Sequence, residues 1–292
     1  MSNPTPLVSI GLPVRNAGSR IAEVVRSVMA QDHPELELVI SDNGSTDDTE
    51  DVCRELARGD SRIAYHRQPE NIGLFNNFVF ASRAAKGSYF RWIGDDDRLE
   101  PHMVSRCLRE FEADPRLVLV TTGIEYTGPD GTTGTEPYAG TAMRSDDPAV
   151  RFAEWMRLLN ASHLLLDPMY ALLRRDVVIG LPRRNMLHED EIFASKLALA
   201  GPWGHVGEVL AHRNWRPDSM SALGRRLDVP KWQWRMHNAL QARETIAWVN
   251  QADLTDEQRR QAVAAVRRFY LARQWNVIER RSRKIVRIAT RR

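Results

Sequence analysis

Cysteine is scarce in this chain of 292 residues, which contains only Cys53 and Cys107. The two lie on separate predicted helices and form no CxxC pair, so neither a disulfide framework nor a zinc site is expected, and a reducing compartment fits. No apolar run approaches the roughly 18 residues needed to span a bilayer. The first six residues lack the basic region and apolar core of a secretory signal. We therefore expect a soluble, cytoplasmic protein.

Basic charge is also missing over most of the chain. The net charge of +3 hides an asymmetry, because residues 259–292 carry twelve Lys and Arg against one acid, Glu279. That segment has a balance of +11, which leaves the remainder at about −8. A uniformly basic nucleic-acid binder does not have this distribution. The chain is an acidic body with a basic tail, and no nucleic-acid partner is expected.

Strand and helix patterns predict an α/β fold. Apolar residues make up 42% and charged residues 27% of the chain, which are globular values. Strands alternate with helices up to residue 122, which favours a parallel sheet. The predicted strands are 7–14, 37–41, 62–66, 89–94 and 204–210. The predicted helices are 19–31, 46–58, one ending near 85, 149–160 and 188–199, with a hairpin or mobile loop at 123–147. Only helices are predicted from about 229, one of them amphipathic with an apolar stripe of Trp232, Met236, Leu240 and Ile246.

Three adjacent aspartates, Asp95–Asp97, follow the apolar stretch Tyr89–Gly94. Clustered carboxylates at a strand end are suited to Mg²⁺ or Mn²⁺, which take oxygen ligands from one or two carboxylates and from substrate phosphates. The alternative is a solvated acidic turn before a helix that starts near Pro101. The triplet alone does not decide between them.

Two other polar turns belong to the same predicted sheet edge. Pro13–Asn16 follows the first strand, and Asp42–Ser45 follows the second. Ligands of parallel α/β sheets bind beyond the carboxyl ends of the strands, so these turns and the aspartates are expected to converge. Asp42 beside a tight turn could pair with the N–H groups of uracil, thymine or guanine. An ordinary strand-to-helix turn is the alternative.

Six segments in a fixed order carry a family resemblance. They are Pro13–Asn16, Ser41–Asp47, Asn71–Gly73, Ala85–Gly87, Gly94–Pro101 and Glu189–Asp190. Over roughly residues 6–220 the chain resembles glycosyltransferase family 2, the inverting nucleotide-sugar enzymes of the GT-A fold. The resemblance implies a Rossmann-like, mostly parallel sheet flanked by helices. It also implies a catalytic domain at 1–224, with halves at about 6–122 and 123–224, and a basic helical extension at 225–292.

The resemblance assigns residues to the nucleotide sugar. Asp42 would contact the base, and residues 71–77 would lie near the ribose or diphosphate. Arg15 stands where many members carry an aromatic residue. The full set is Pro13, Val14, Arg15, Asn16, Asp42, Asn43, Gly44, Asn71, Gly73, Asn77 and Asp95.

The metal-binding motif of the family maps onto residues 94–97. Alignment on Leu99–Pro101 makes Asp96 the principal ligand of Mg²⁺ or Mn²⁺, with Asp97 in support and Asp95 near the ribose or sugar. A register with Asp95 and Asp97 as the outer pair is left open. The metal would stabilise the diphosphate leaving group.

The acceptor hydroxyl needs a general base within hydrogen-bond reach. The resemblance assigns this role to Asp190, with Glu191 as runner-up and Glu189 as an orienting neighbour. The alternative is that the three acids merely suit a helix N-terminus. A basic residue near the following strand often reaches the diphosphate in this family, and the sequence leaves the choice between His212 and Arg213 open, with an ordinary basic surface loop as a further alternative.

The donor could be UDP-, dTDP- or GDP-linked, and the acceptor a saccharide, a lipid-linked molecule or a natural product. The basic tail could lie on the inner face of an anionic membrane, or pack its apolar stripe on the body, which we favour. A homodimer is left open. Competing functions are a nucleotidyltransferase, disfavoured because no glycine-rich loop follows the first strand, and a non-catalytic sugar-nucleotide-binding protein, disfavoured because both acidic clusters are present.

Overall fold

The computed structural model describes residues 5–162, 165–215 and 219–289. In this part of the chain, nine strands form one mixed sheet in the order β3-β2-β1-β4-β8-β6-β9-β5, with β7 paired to β6. The strands are β1 (Val8–Val14), β2 (Leu36–Asp42), β3 (Ile63–Arg67), β4 (Tyr89–Trp92), β5 (Arg98–Leu99), β6 (Leu119–Thr127), β7 (Thr133–Gly134), β8 (Leu172–Arg174) and β9 (Trp203–Asn214).

Helices cover both faces of the sheet. They are α1 (Gly18–Met29), α2 (Thr49–Gly59), α3 (Leu74–Ala84), α4 (Met103–Ala113), α5 (Pro148–Ala161), α6 (Arg175–Gly180), α7 (Glu189–Ala200), α8 (Met220–Arg226), α9 (Lys231–Gln251) and α10 (Asp256–Ala289). Within the described residues no helix combines the length and apolar character that crossing a bilayer requires.

The sheet is mostly parallel because its parallel pairs are the long ones. β6 and β9 pair over nine residues and β1 and β2 over seven, whereas each antiparallel pair covers two. All seven residues of β1 are buried, as expected for a central strand covered on both faces. The predicted hairpin within 123–147 is confirmed as β6 and β7.

Alternation along β2 separates two hydrophobic layers. Leu38 and Ile40 pack with α1 on one face, and Val39 joins Phe90, Trp92 and the helices of the other face. This is the side-chain period of a strand buried on both sides. Cys53 and Cys107 are buried free thiols in the first layer, and burial raises the pKa of each to about 12.

The second helix begins three residues later than its sequence pattern predicts, at Thr49 instead of residue 46. The side chains that favoured an earlier start are used elsewhere. Ser45 and Thr46 bond to the turn after β1, and the Asp47 carboxylate accepts from the Thr49 N–H at 3.1 Å. Tertiary hydrogen bonds therefore set this boundary.

The apolar side chains of the C-terminal helices are buried in the body as far as residue 269. Val249 of α9, together with Val266 and Phe269 of α10, is buried in the layer that contains α5 and α7. Beyond this point α10 exposes its apolar side chains, with Leu271 65% and Trp275 69% exposed. The predicted domain boundary at residue 224 stays a prediction. The first part of the basic tail packs on the body.

The predicted helix around 232–246 forms, but its apolar stripe is not wholly buried. Leu240 is buried, whereas Trp232 is 53% and Met236 56% exposed. The backbone leaves helical geometry at Met236, with φ −113° and ψ 15°. The prediction of a single buried apolar face along α9 is therefore wrong for the first turns of this helix.

Candidate active site

Three polar segments lie at one edge of the sheet, as the strand pattern predicts. β1 and β2 run parallel with Val14 opposite Asp42. β4 pairs with the other side of β1, and the Ile93 N–H then donates to the Gly11 carbonyl at 3.0 Å. The turns after β1, β2 and β4 therefore share the carboxyl edge, where ligands of α/β sheets bind.

The turn after β1 is bonded to the turn after β2. Asn16 has a left-handed backbone with φ 53°, which asparagine tolerates. Its N–H donates to Ser45 Oγ and its Oδ1 accepts from the Thr46 N–H, both at 2.9 Å. Three neighbouring residues are also predicted to contact the nucleotide sugar. Pro13 and Val14 are buried, and Arg15 is exposed.

Asp42 is fully buried and accepts four hydrogen bonds. Oδ1 accepts from the Ser45 N–H at 2.9 Å and from Ser45 Oγ at 2.6 Å. Oδ2 accepts from the Tyr65 hydroxyl at 2.8 Å and from Arg67 Nη1 at 2.9 Å. A nucleoside base would have to share or replace one of these donors, so the predicted base contact requires local rearrangement.

The turn after β2 is tied to the loop before α3. Asn43 Nδ2 donates to Asn71 Oδ1 at 2.8 Å, and Asn43 Oδ1 accepts from the backbone N–H that follows Asn71. Gly44 has φ +63°, and a Cβ there would come within 2.9 Å of the Glu70 carbonyl carbon. Gly73 has φ +87°. Both glycines meet a backbone requirement of these turns.

Asn77 lies beneath this edge. It is 3% exposed, accepts from Ser41 Oγ at 2.6 Å and donates to the Ser41 carbonyl at 2.8 Å. In this structure its amide braces β2, and its predicted position near the ribose or diphosphate stays a prediction.

The three aspartates have different surroundings. Asp97 is buried and accepts from the Gly94 N–H at 2.9 Å and from Arg213 Nε at 3.2 Å. Asp95 is partly exposed and forms an ion pair with Arg20 of α1. The buried member therefore stabilises the loop, and the outer member lies nearer solvent.

Asp96 lies between them, and its carbonyl accepts from Asn214 Nδ2 at 2.8 Å. In the described residues no group of three or more His, Cys, Asp or Glu is arranged around one metal position. The carboxylates still fit Mg²⁺ or Mn²⁺, because such ions are commonly held by one or two carboxylates and completed by phosphate oxygens. The choice of ligand among the three stays a prediction.

Successive side chains of β9 alternate between the two faces of the sheet, so Arg213 and His212 have different surroundings. Arg213 forms an ion pair with Asp97 and a second one with Asp167 at 2.5 Å, and its guanidinium lies 3.4 Å from the centre of the Tyr170 ring. His212 bonds instead to two carboxylates, those of Glu100 and Glu125. Of these two residues, Arg213 is therefore the one that adds positive charge beside the triplet.

A second acidic group occupies the first turn of α7. Glu189 forms a two-pronged ion pair with Arg183, whose guanidinium lies 4.3 Å from the Phe193 ring centre. Glu191 accepts from His188, Gln241 and Arg273. Burial pushes the pKa of Glu191 up, but His188 and Arg273 outweigh it and hold the pKa below its usual range.

Asp190 differs from both neighbours. In the described part of the chain no arginine or lysine pairs with it. Its side chain reaches solvent, but the surrounding protein atoms and then the Glu191 charge raise its pKa to about 6. It is therefore the carboxylate of this turn best suited to accept a proton near neutral pH.

Tyr170 brings the two acidic groups together. Its ring stacks on Arg213, and its hydroxyl lies within electrostatic range of both Asp97 and Asp190. Trp92, at the end of β4, contacts Phe193 of α7 with ring centres 6.2 Å apart. Tyr170 and Trp92 thus connect the segment that contains the triplet with the first turn of α7.

Three site residues were missed from the sequence. Arg67 ends β3 at the same edge as Asp42, so the strand-end rule could have found it. Arg20 lies one helical turn after Asn16, whose carbonyl it also contacts at 3.4 Å. Asp167 follows an apolar stretch, and no local sequence pattern marks it as a site residue.

Comparison with known proteins places these observations in a family. The model of Glycosyl transferase family 2 matches residues 9–181, more than half of the chain. A hyaluronan synthase of Pasteurella multocida is 37% identical over 129 residues, 44% of this chain and 13% of that protein. TuaG of Bacillus subtilis, named a putative teichuronic acid biosynthesis glycosyltransferase, is 33% identical over 132 residues, 45% of this chain and 52% of that one. The chain thus spans about half or less of these relatives.

Solved structures share the fold. Staphylococcus aureus TarS 1–349 in complex with UDP-GlcNAc superimposes with a TM-score of 0.64 at 18% identity, over 91% of this chain and 73% of that one. A mannosyltransferase of Pyrobaculum calidifontis in complex with GDP-Man and Mn²⁺ gives a TM-score of 0.57 at 18% identity, over 92% and 71%. The predicted GT-A fold is confirmed.

The burial difference within the triplet predicts unequal effects on stability. Asp97→Asn should lower the free energy of unfolding by about 3 kcal/mol, because it breaks a buried ion pair. Asp95→Asn breaks a partly exposed pair and should cost less than about 1 kcal/mol. Urea unfolding of both variants measures this, and equal losses would contradict the assignment.

Proposed function

The chain belongs to glycosyl transferase family 2, and from that premise we propose that it moves a sugar from a nucleoside-diphosphate sugar to an acceptor hydroxyl with inversion, using Asp190 as general base. One observation carries the proposal. Glu189 and Glu191 are each paired with an arginine, whereas the pKa of Asp190 is raised to about 6, so one carboxylate is left poised for proton transfer beside the metal-binding candidates.

The donor binds at the sheet edge in this proposal. The turns containing Asn16, Asp42 and Asn43 receive the nucleoside, and the diphosphate faces Asp95–Asp97. The structural neighbours with UDP-GlcNAc and GDP-Man support a nucleotide sugar, with UDP, dTDP and GDP all open. Relatives named for hyaluronan and teichuronic acid support a saccharide acceptor.

A divalent cation belongs to the same proposal. Asp96 would hold Mg²⁺ or Mn²⁺, with Asp97 or Asp95 in support, and the bound ion would neutralise charge on the diphosphate leaving group. Arg213 contributes positive charge beside the same segment and keeps Asp97 in place. Asp190 takes the proton of the acceptor hydroxyl as its oxygen attacks the anomeric carbon from the face opposite the leaving group.

Replacing the base tests the proposal. Asp190→Asn should lower kcat by about 100-fold or more, because general-base catalysis contributes that much, while Mn²⁺ and nucleoside diphosphate still bind by calorimetry. Asp176→Asn is the matched control, since Asp176 is also exposed in the first turn of a helix. A donor that binds but is transferred by neither wild type nor variant would favour a non-catalytic sugar-nucleotide-binding protein.

The pH dependence follows from the raised pKa of Asp190. Transfer needs the ionised carboxylate, so kcat/KM should fall about tenfold per unit as the pH drops below about 6, where Asp190 becomes protonated. An ordinary aspartate would place this limb near about pH 4. A measured profile that stays flat down to pH 4.5 would contradict a base whose pKa is raised.

Contact of α10 with a membrane surface is a separate part of the proposal. Exposed Leu271 and Trp275 follow exposed Arg267 and Arg268, a combination suited to an anionic bilayer interface. Replacing both Leu271 and Trp275 by Ser should weaken co-sedimentation with phosphatidylserine vesicles by about tenfold or more. Ile179→Ser, at an exposed apolar residue of α6, is the control. Equal binding by the wild type, the double variant and the control would contradict membrane contact through Leu271 and Trp275.

A further inference from the structure

The first turn of α7 is held by the two C-terminal helices. Glu191 Oε2 accepts from Gln241 Nε2 of α9 and from Arg273 Nη2 of α10, both at 2.7 Å. Arg273 Nη1 donates to Gln241 Oε1 at 2.9 Å. These three side chains form a closed set of hydrogen bonds centred on the residue that follows Asp190.

A second contact holds the residue before this turn. His188 Nδ1 lies 3.1 Å from Glu191 Oε1, and His188 Nε2 lies 2.8 Å from His237 Nδ1 of α9. Because the ionised Glu191 carboxylate only accepts, His188 carries a proton on Nδ1, and one of the two facing ring nitrogens of His188 and His237 donates to the other. His188 also has a left-handed backbone with φ 61°, a strained conformation that its surroundings must hold.

The network is largely shielded from water. Gln241 is 1% exposed, and the side chains of Arg273 and Glu191 are 18% and 21% exposed. Removing one member leaves buried polar groups without partners, which costs more than the bond itself contributed. Such a network can fix the position of a neighbouring side chain.

We propose that Glu191, His237 and Arg273 are positioning residues that hold Asp190 in place for proton transfer. This rests on the proposed function, in which Asp190 is the base. The C-terminal helices then form part of the catalytic apparatus, and Glu191 orients the base instead of replacing it.

The charges around Asp190 make this positioning role measurable in the pH dependence of kcat/KM as well as in stability. The titratable and charged groups around its segment are Glu189, Glu191 and His188 on the segment itself, Arg183 in the preceding loop, Tyr170 just before β8, His237 on α9 and Arg273 on α10. Glu191→Gln removes a negative charge and should move the acid limb of kcat/KM to lower pH. Arg273→Met removes the positive charge paired with Glu191 and should move the limb to higher pH.

The test compares Arg273→Met with Arg260→Met, an arginine on the same helix that pairs with exposed Glu257. Arg273→Met should lower kcat by about 10- to 100-fold, as misplacement of a catalytic group does, with the donor KM within about twofold and partial rescue by Arg273→Lys. Arg260→Met should retain wild-type kcat. Hydrogen exchange at residues 186–192 should accelerate in Arg273→Met alone.

The outcomes separate this proposal from the proposed function. Wild-type kcat, unshifted pH limbs and unchanged exchange in Arg273→Met and Glu191→Gln would overturn it. If wild type transfers no sugar but exchange accelerates in Arg273→Met alone, the proposed function fails and the structural link between α10 and the α7 turn stands.

Discussion

Parallel pairing of β1 with β2 and β4 is the constraint on which the rest of the structure depends. It brings three strand ends to one edge, so that turns far apart in sequence share one site. Asn16 bonds across to Ser45 and Thr46, and the Asp triplet follows β4 beside them. A one-residue slip in β2 would reverse which of its side chains face each layer and would move Asp42 away from Tyr65 and Arg67 of β3.

Electrostatic pairing then gives the carboxylates at this edge different roles. Asp97, Glu189 and Glu191 each form an ion pair with an arginine, which fixes their positions. Asp190 sits among protein atoms beside another negative charge, which raises its pKa. Acids that look alike in sequence are thus divided into positioning groups and one candidate proton acceptor.

Local signals made the first half of the fold and the strand-end turns predictable. The apolar run of β1, the helical face of Ile21, Val24 and Val28, and the order of the acidic motifs can all be read within short windows. The contacts that define the site could not, because they join distant residues. Arg213 meets Asp97 across 116 positions and Arg273 meets Glu191 across 82. Neither pairing has a local pattern, and packing of the C-terminal helices decides the second.

The same limit explains what was misjudged. The apolar spacing of Trp232 and Met236 suggested a buried stripe, but the kink at Met236 and the absence of a covering element in the described structure leave both exposed. The start of α2 moved because Ser45 and Thr46 are bonded to a neighbouring turn. In both places tertiary structure overrode a sound local pattern.

The central claim is that this sheet edge binds a nucleotide sugar and releases its nucleoside diphosphate. The most direct measurement is nucleoside diphosphate release from a panel of UDP-, dTDP- and GDP-sugars, with Mn²⁺ or with excess chelator, and with a saccharide acceptor. The account predicts release from at least one donor that requires the metal. No binding and no release with any donor in the presence of metal would contradict it.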